Sequence, residues 1–171
     1  MVRKLSFLLG LLFFVPFTAH AQLGGLSDKV ELFGGYTFMH NDNRPDGNLN
    51  GWEFSGQYKF TNWLGVVADF DGHYGSPNGI GTSKYNYLFG PQISFPARVS
   101  PFIHLLVGGS HEHADGVGSD SSFAAALGAG IDTKLSGPIY WRIIQGDWIH
   151  TSLFGGSQNN GRLSTGIVIK F

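Results

Sequence analysis

Two residues near the end of the seventh apolar segment have the types that acyl-transfer enzymes use. His150 and Ser152 are separated by one residue, and side chains at that spacing on a β-strand point to the same side. A histidine acts as general base for a serine hydroxyl when an acidic group orients its imidazole. The pair is therefore the candidate catalytic site. A catalytic role requires that the two side chains lie within hydrogen-bonding distance and that an acidic group orients the histidine.

Histidines are also frequent at one end of the predicted strands. Five of them fall there: His40, His73, His111, His113 and His150. His111 and His113 flank Glu112, and imidazoles are common ligands of zinc and copper, so these two residues are candidate metal ligands. No HExxH motif, P-loop or dinucleotide fingerprint is present. We therefore expect polar surface histidines and no bound cofactor.

Charged residues recur on one face of the same segments. Both signs are present among Glu53, Asp69, Asp71, Lys84, Asp147 and Arg162. A buried charge is costly unless it is paired. If this face is enclosed, we expect these six residues to form a salt-bridge network.

The elements that must position these residues are β-strands, because apolar and polar residues alternate with period two. Eight segments show the pattern: Val30–Met39, Leu49–Phe60, Trp63–Tyr74, Lys84–Phe95, Phe102–Glu112, Ser122–Leu135, Ile139–Thr151 and Gly161–Phe171. The predicted connections between them alternate between long polar loops and short turns, as in outer-membrane barrels. We predict an all-β fold, an eight-stranded antiparallel up-and-down transmembrane β-barrel.

Aromatic residues decide between a membrane barrel and a soluble, lipocalin-like barrel with the opposite burial pattern. Near the loop ends of their strands lie Trp52, Tyr74, Tyr85 and Trp148, and near the turn ends lie Phe60, Trp63, Phe95, Phe102, Tyr140 and Phe171. Two aromatic belts are typical of bilayer interfaces. We therefore expect the large apolar side chains to face lipid and the charges to line the interior.

The seventh strand breaks the alternation, since Arg142 has the opposite parity to Gln145 and Asp147. Two interpretations remain. A β-bulge near Ile143 and Ile144 resets the phase, which we favour, or Arg142 points outward and extends to the interface.

The beginning of the chain and its composition indicate export. Residues 1–21 read as a signal peptide, with basic Arg3 and Lys4, an apolar core and the cleavage site Ala19-His20-Ala21. Residues 22–171 then form one barrel domain. The 171 residues include 26 Gly and no Cys, are 15% aromatic but only 13% charged, and have a net charge of −1, so nucleic acid is not an expected partner.

The predicted signal peptide, eight strands, alternating connections and terminal aromatic resemble the small outer-membrane barrels of the OmpA and OmpX type. More narrowly, the stretches FGPQISF, PFIHLLVGGSH, FAAALGAGID, IIQGDWIHT and RLSTGIVIKF resemble the outer-membrane β-barrel domain found in many uncharacterised bacterial proteins. The resemblance implies that barrel-assembly machinery reads Phe171 as an assembly signal and that periplasmic chaperones deliver the chain.

A second resemblance concerns only the first pair of residues. His150 and Ser152 are similar in arrangement to the lipid A deacylases of the PagL type, which implies a base and a nucleophile acting on lipid. The residues after Ser152, Leu-Phe-Gly-Gly, depart from the deacylase pattern.

The sequence therefore predicts a non-enzymatic barrel of the cell outer membrane with a structural or surface-interaction role, such as adhesion or membrane integrity. Its expected partners are outer-membrane lipid, the assembly machinery and an extracellular ligand bound by the loops. The alternatives are a lipid A-modifying hydrolase that uses His150 and Ser152, and a narrow channel for small solutes.

Overall fold

The computed structural model describes residues 29–41, 47–116, 118–153 and 156–171. In this part of the chain, eight antiparallel strands form a closed barrel in sequence order. The strands are β1 Val30–Asn41, β2 Gly47–Lys59, β3 Leu64–Gly75, β4 Thr82–Ser94, β5 Val99–Ala114, β6 Gly118–Ser136, β7 Ile139–Thr151 and β8 Gln158–Lys170. A short 3₁₀ turn, Pro77–Gly79, connects β3 to β4. The predicted signal peptide, residues 1–21, lies outside the described residues.

The last strand closes the barrel. β8 pairs with β1 from Glu31 opposite Lys170 to Asn41 opposite Asn160. Beyond this ladder, Phe171 N donates to Val30 O at 2.8 Å. An apolar terminal strand is an exposed edge in an open sheet, whereas closure gives it a partner on both sides. The prediction of an eight-stranded up-and-down barrel is thus confirmed.

The strands run further at one end of the barrel than the sequence pattern predicts. We call the end with connections 60–63, 95–98 and 137–138 the turn end, and the opposite end the loop end. At the loop end β5 and β6 stay paired up to Ala114 opposite Gly118. Only residues 115–117 therefore connect them, because the polar residues 113–121, predicted as a loop, mostly continue the ladder.

The two faces of the sheet are chemically opposite. Outward positions carry large apolar side chains, and the Trp52, Tyr74, Tyr85 and Trp148 side chains are exposed. Inward positions carry the buried charges, as in β2, where Glu53 and Lys59 alternate with exposed Phe54 and Tyr58. This arrangement is the inverse of a soluble barrel and matches the predicted membrane pattern.

A β-bulge in β7 restores the phase of the charged residues. Ile131 is opposite Ile144 while Asp132 is opposite Arg142, so the register with β6 shifts by one residue. Ile143 and Ile144 are consequently both exposed, and Arg142 points inward and is buried. Of the two interpretations of this strand, the bulge is correct and the outward arginine is wrong.

One predicted member of the turn-end aromatic belt is misplaced. Phe102 is 4% exposed and faces the interior, because it has the same parity on β5 as buried His104 and Leu106. The other five side chains predicted for this belt are not buried. Among the described residues, no helix is long and apolar enough to cross a membrane.

Candidate functional site

A single arginine occupies the middle of the lumen. Arg162, on β8, forms ion pairs with four carboxylates from three other strands. Its Nη1 atom is 2.9 Å from Asp69 Oδ1 and also contacts Asp71, and its Nε atom is 3.0 Å from Asp147 Oδ2 and 3.7 Å from Glu53 Oε2. We call these five residues the Arg162 cage. A guanidinium group suits this cage because the N–H donors of the guanidinium are arranged in one rigid plane.

Neutral and imidazole side chains complete the cage. His104 Nε2 lies 2.6 Å from Asp147 Oδ1, and His73 Nδ1 lies 2.9 Å from Asp71 Oδ1. Asn86 donates to Asp71 at 2.7 Å, and Ser164 donates to Glu53. These contacts matter because a carboxylate without enough hydrogen-bond donors is costly to bury. His73 therefore belongs to the interior and not to the rim.

Gly128 makes room for one of these pairs. A Cβ atom at this position would lie 1.9 Å from Asp147 Oδ1 and 2.4 Å from His104 Nε2. Any side chain would therefore displace the pair.

Lys84 does not join the cage. Its Nζ atom is 3.3 Å from Glu112 Oε2 and 3.4 Å from Gln158 Oε1, nearer the loop end. Glu112 has inward parity on β5, so alternation alone would have identified this partner. The six charges predicted to form one network thus occupy two groups: five form the Arg162 cage, with four carboxylates around Arg162, and Lys84 pairs separately with Glu112.

A second buried arginine lies toward the turn end in very different surroundings. The Arg142 guanidinium carbon is 4.2 Å from the Phe33 ring centroid and 4.4 Å from that of Phe102. Arg142 donates to Asp132 Oδ1 at 2.8 Å and to Gln145 Oε1 at 2.6 Å. We call these residues the Arg142 sandwich. It combines one ion pair with cation–π contacts on both faces of the guanidinium.

Gln145 connects the two arginine sites. Its side-chain oxygen accepts from Arg142, while its nitrogen donates to Glu53 Oε1 and Asp147 Oδ2, both at 2.9 Å. Every hydrogen-bonding atom of the amide is thereby used. A substitution at either arginine should therefore alter the hydrogen bonds at the other.

The remaining interior is filled at the turn end by another ion-pair group and elsewhere by apolar side chains. Glu31 pairs with Lys59 and, at 2.9 Å, with Lys170. The sequence analysis did not identify the apolar cluster, which consists of Met39, Leu49, Val67, Leu88, Leu106, Ala124, Ala126 and Ile149. Around Leu106 in β5 and Ala124 and Ala126 in β6 the inward and outward residues are both apolar, so polarity does not separate the two faces there.

Around the Arg142 sandwich, the described side chains leave little free space in the lumen. A cavity bounded in part by Phe33, Gln57, Gln92 and Arg142 has a volume of about 10 Å³, room for about one water molecule. Buried side chains from all eight strands meet in the interior. The arrangement is that of a filled barrel, as expected for eight strands.

The candidate catalytic pair lies at the loop end without the contacts that acyl transfer requires. His150 Nδ1 is 3.0 Å from Asn159 Oδ1, and His150 Nε2 is 3.5 Å from Ser157 Oγ. The backbone nitrogen of Ser152 donates to Ser122 Oγ at 3.2 Å. An amide thus occupies the place in which a triad has a carboxylate.

The two candidate metal ligands point outward from β5. His111 Nδ1 and His113 Nδ1 are each 2.7 Å from a serine hydroxyl, of Ser121 and Ser119 respectively. Within the described ranges, no group of three or more His, Cys, Asp or Glu residues has a geometry that suits a metal ion.

An open cleft lies beside His113. It has a volume of about 450 Å³ and lies between the β3–β4 connection and the tip of β5. Its lining includes Tyr74, Thr82, Ser83, His113 and Asp115. The cleft is open to solvent, and hydroxyls, a carboxylate and an imidazole lie along its wall.

Phe171 lies at the opposite end of the barrel. Its side chain is 45% exposed and continues the outward face of Ile167 and Ile169. Its backbone is fixed by the hydrogen bond to Val30. This position is compatible with a role in assembly, which stays a prediction.

Comparison with known proteins identifies the fold. No protein-family model and no curated protein matches the chain. The chain is similar to the crystal structure of Neisserial surface protein A, with a TM-score of 0.67 and 13% identity over 83% of this chain and 97% of that one. It is also similar to Ail, the attachment invasion locus protein of Yersinia pestis, with a TM-score of 0.54 and 17% identity over 84% and 99%.

The outer membrane protein OprG from Pseudomonas aeruginosa is similar at a TM-score of 0.54, with 10% identity over 85% of this chain and 96% of that one. Each alignment spans almost the whole of the known barrel. The chain therefore has the fold of the small outer-membrane barrels, in agreement with the expected OmpA and OmpX type.

Proposed function

We propose that this protein is a non-enzymatic barrel of the bacterial outer membrane, with a closed lumen and a structural and surface-interaction role. The observation that carries the proposal is the inversion of the barrel. Two buried arginine sites fill the lumen, while aromatic and aliphatic side chains cover the outside of the barrel. A barrel of this kind is stable only when a hydrocarbon layer surrounds it.

The dimensions of the strands support a membrane location. They contain 12 to 19 residues, and a tilted strand needs about 9–11 residues to cross a bilayer. The closed ladder satisfies the backbone groups that hydrocarbon would otherwise leave unpaired. The turn end would then face the periplasm and the loop end the outside of the cell.

The filled lumen argues against transport. Opening a path through the barrel would require Arg162 or Arg142 to leave its partners. Breaking one buried ion pair costs about 3–5 kcal/mol, and Arg162 has four carboxylate partners. A channel for small solutes is therefore less well supported than a closed barrel.

The contacts of the catalytic candidates likewise favour a role other than catalysis. His150 contacts Asn159 and Ser157, whereas the candidate pair requires a contact between the His150 imidazole and the Ser152 hydroxyl, and a Ser–His–Asp triad has a carboxylate on the other side of the ring. A lipid A hydrolase would need a rearranged loop end.

A surface role is supported by the exposed cleft of about 450 Å³ at the loop end and by the similar structures. One of these is named a surface protein and another an attachment and invasion protein, which has also been crystallised with the heparin analogue sucrose octasulfate. By analogy, we propose that the loop end of this chain contacts material outside the cell. Removal of residues 1–21 and assembly through Phe171 belong to the same proposal.

Surface labelling in intact cells tests the placement. A cysteine introduced as Ser76→Cys, at the loop end, should react with a membrane-impermeant maleimide. The matched variant Asn62→Cys, also at an exposed polar residue but at the turn end, should react only after the outer membrane is opened. Equal labelling of both variants in intact cells would refute the proposed orientation.

The role itself is tested by replacing residues 76–81 with a flexible linker of equal length. A surface-interaction role predicts that cells lose attachment while their resistance to detergent is retained. If attachment is unchanged and detergent resistance alone depends on the barrel, the surface-interaction role is refuted and the structural role remains.

A further inference from the structure

Four histidines point outward around the loop end. They are His40, His111, His113 and His150. Each Nδ1 atom contacts a side chain on the next strand. His40 contacts Asn48 at 2.9 Å and His150 contacts Asn159 at 3.0 Å. His111 contacts Ser121 and His113 contacts Ser119, both at 2.7 Å. We call these four residues the histidine collar. Three of the four hairpins carry the same cross-strand arrangement, which fixes each ring.

The collar lies at or just beyond the aromatic belt. Tyr85 is opposite His111 and Ser83 is opposite His113. Trp148 is two residues before His150, with ring centroids 6.0 Å apart. Tyrosine and tryptophan concentrate at the headgroup level of a bilayer, and two residues of strand span about 7 Å. The imidazoles therefore reach the layer in which lipid phosphates lie.

Permanent positive charge is lacking on this outer surface in the part of the chain that the structure describes. Lys84 is the lysine of the loop half, and it points inward to Glu112 at 3.3 Å. The other described lysines and arginines lie in the lumen or toward the turn end. Among the described residues, protonation of the collar would therefore be the source of positive charge on the outer face of the loop end.

The groups around each ring are few and mostly neutral. Two carboxylates of the β5–β6 hairpin are close: Asp115 Oδ1 is 3.5 Å from His113 Nε2, and Asp120 is opposite Glu112, one residue from both histidines. The neutral groups are Ser83, Tyr85, Ser119 and Ser121 beside the β5 pair, and Ala125, Trp148, Ser157 and Asn159 beside His150. Asn48 and Gly161 are among the groups beside His40.

We propose that the histidine collar, centred on His111 and His113, is a pH-dependent binding site for the phosphate groups of lipids in the leaflet around the loop end. This inference rests on the membrane placement proposed above. An imidazole whose Nδ1–H donates to a neighbouring side chain gains its second proton at Nε2. This atom lies 3.5 Å from Asp115 Oδ1 in His113 and 3.5 Å from Ser157 Oγ in His150, so a phosphate oxygen competes with these groups there. In the protonated state Nε2–H donates to a phosphate oxygen, and such charge-assisted bonds are stronger than neutral ones. Histidine is the side chain whose charge can change in the physiological pH range, so the proposed contact is expected to weaken as the pH rises.

The test uses the refolded barrel in nanodiscs of phosphatidylcholine with a minor fraction of phosphatidic acid. Lipid retained by the protein is counted by native mass spectrometry at about pH 5.5 and about pH 7.5, on either side of the range in which imidazoles change charge. We expect tighter retention of phosphatidic acid at the lower pH, by roughly fivefold per protonated imidazole, the effect of one basic side chain at an anionic membrane surface.

Two variants separate the collar from general surface effects. His111→Gln/His113→Gln should lose the pH dependence, whereas His111→Arg/His113→Arg should retain phosphatidic acid at both pH values. Retention that does not change with pH in the native chain, or that is unchanged in the glutamine variant, would overturn the proposal. Every variant must first fold in the nanodisc. A failure of the membrane placement would appear at this step and is thereby distinguished from a failure of the collar proposal.

Histidine ring signals in NMR spectra distinguish the source of phosphate. Phosphatidic acid should shift the ring signals of His111 and His113 and leave those of His104 in place, since His104 lies in the lumen beside Asp147. An equal shift on adding inorganic phosphate to pure phosphatidylcholine discs would indicate a free-phosphate site and overturn the lipid assignment.

Discussion

The two buried arginines of the lumen are held by opposite means. Arg162 lies among four carboxylates. Arg142 has one carboxylate, Asp132, and lies between the rings of Phe33 and Phe102. Gln145 hydrogen-bonds to Arg142 and to two carboxylates of the Arg162 cage. One site is thus rich in negative charge, and the other is largely apolar.

The difference indicates that the Arg162 cage contributes more to the stability of the barrel than the Arg142 sandwich, which mainly fills the lumen. Removing Arg162 would leave several carboxylates facing one another without a cation, and such groups are strongly destabilising when buried. Removing Arg142 would leave one carboxylate, while the two rings could still enclose an apolar side chain. The stability of the cage thus depends on the positive charge of Arg162, whereas that of the sandwich depends largely on a side chain that fills the space between the two rings.

The largest effect is expected for Arg162→Met. This change should lower the free energy of unfolding by at least about 3–5 kcal/mol, the usual cost of breaking a buried ion pair from one side. Urea unfolding in lipid vesicles, followed by the gel shift between folded and unfolded barrel, measures it. Arg162→Lys keeps the charge without the fork and should lose less. Equal stability of native and methionine forms would show that the cage is not needed.

A smaller loss is expected for Arg142→Met, because methionine fills the space between the rings, and Asp132 and the neutral Gln145 oxygen are the groups that lose a partner. We expect about 1–3 kcal/mol, the range for one unsatisfied buried group. In the same unfolding assay, Arg142→Met/Asp132→Asn should recover part of this loss. If Arg142→Met proves more harmful than Arg162→Met, the proposed contrast between the two sites is wrong.

The link through Gln145 is tested by a double-mutant cycle. Gln145→Leu should reduce the coupling between Arg142→Met and Arg162→Met, which we expect to be about 0.5–3 kcal/mol for residues in one hydrogen-bond network. The unfolding free energies of the single, double and triple variants give this value. Additive effects in the presence of Gln145 would mean that the two sites are independent.

The smallest effect on the folded barrel is expected outside the lumen, at Phe171. Phe171→Asp should cost only a fraction of the about 1.5–3 kcal/mol that full burial of a large apolar side chain is worth, because Phe171 is 45% exposed, and refolding into detergent should succeed. In cells, delivery to the outer membrane should fall sharply if the assembly machinery reads this residue. Normal surface delivery of the variant would remove the recognition role.

Most of the fold could be predicted from the sequence because period-two alternation determines both the strands and their faces. The assignment was weakest where the inward face is also apolar. Leu88, Leu106 and Ala126 differ little from their outward neighbours, so the apolar cluster was missed. Phe102 was assigned to the belt by residue type, although its parity with His104 indicated the interior.

The individual partners in the lumen could be predicted only in part. Alternation places Glu53, Asp69, Asp71, Asp147 and Arg162 inside, but strand stagger decides which of them meet, and the sequence does not specify the stagger. Lys84 consequently pairs with Glu112 instead of joining the cage. The aromatic contacts of Arg142 depend on the bulge, which turns its side chain inward.

The central claim, that the two arginine sites close the lumen, is tested most directly by electrical recording in planar bilayers. The purified native barrel should insert without giving stable unitary currents, because a filled eight-stranded lumen leaves no continuous water path. Insertion is confirmed separately by protease protection of the β-barrel. Reproducible current steps of the size given by water-filled porins, unchanged in Arg162→Lys, would contradict the account.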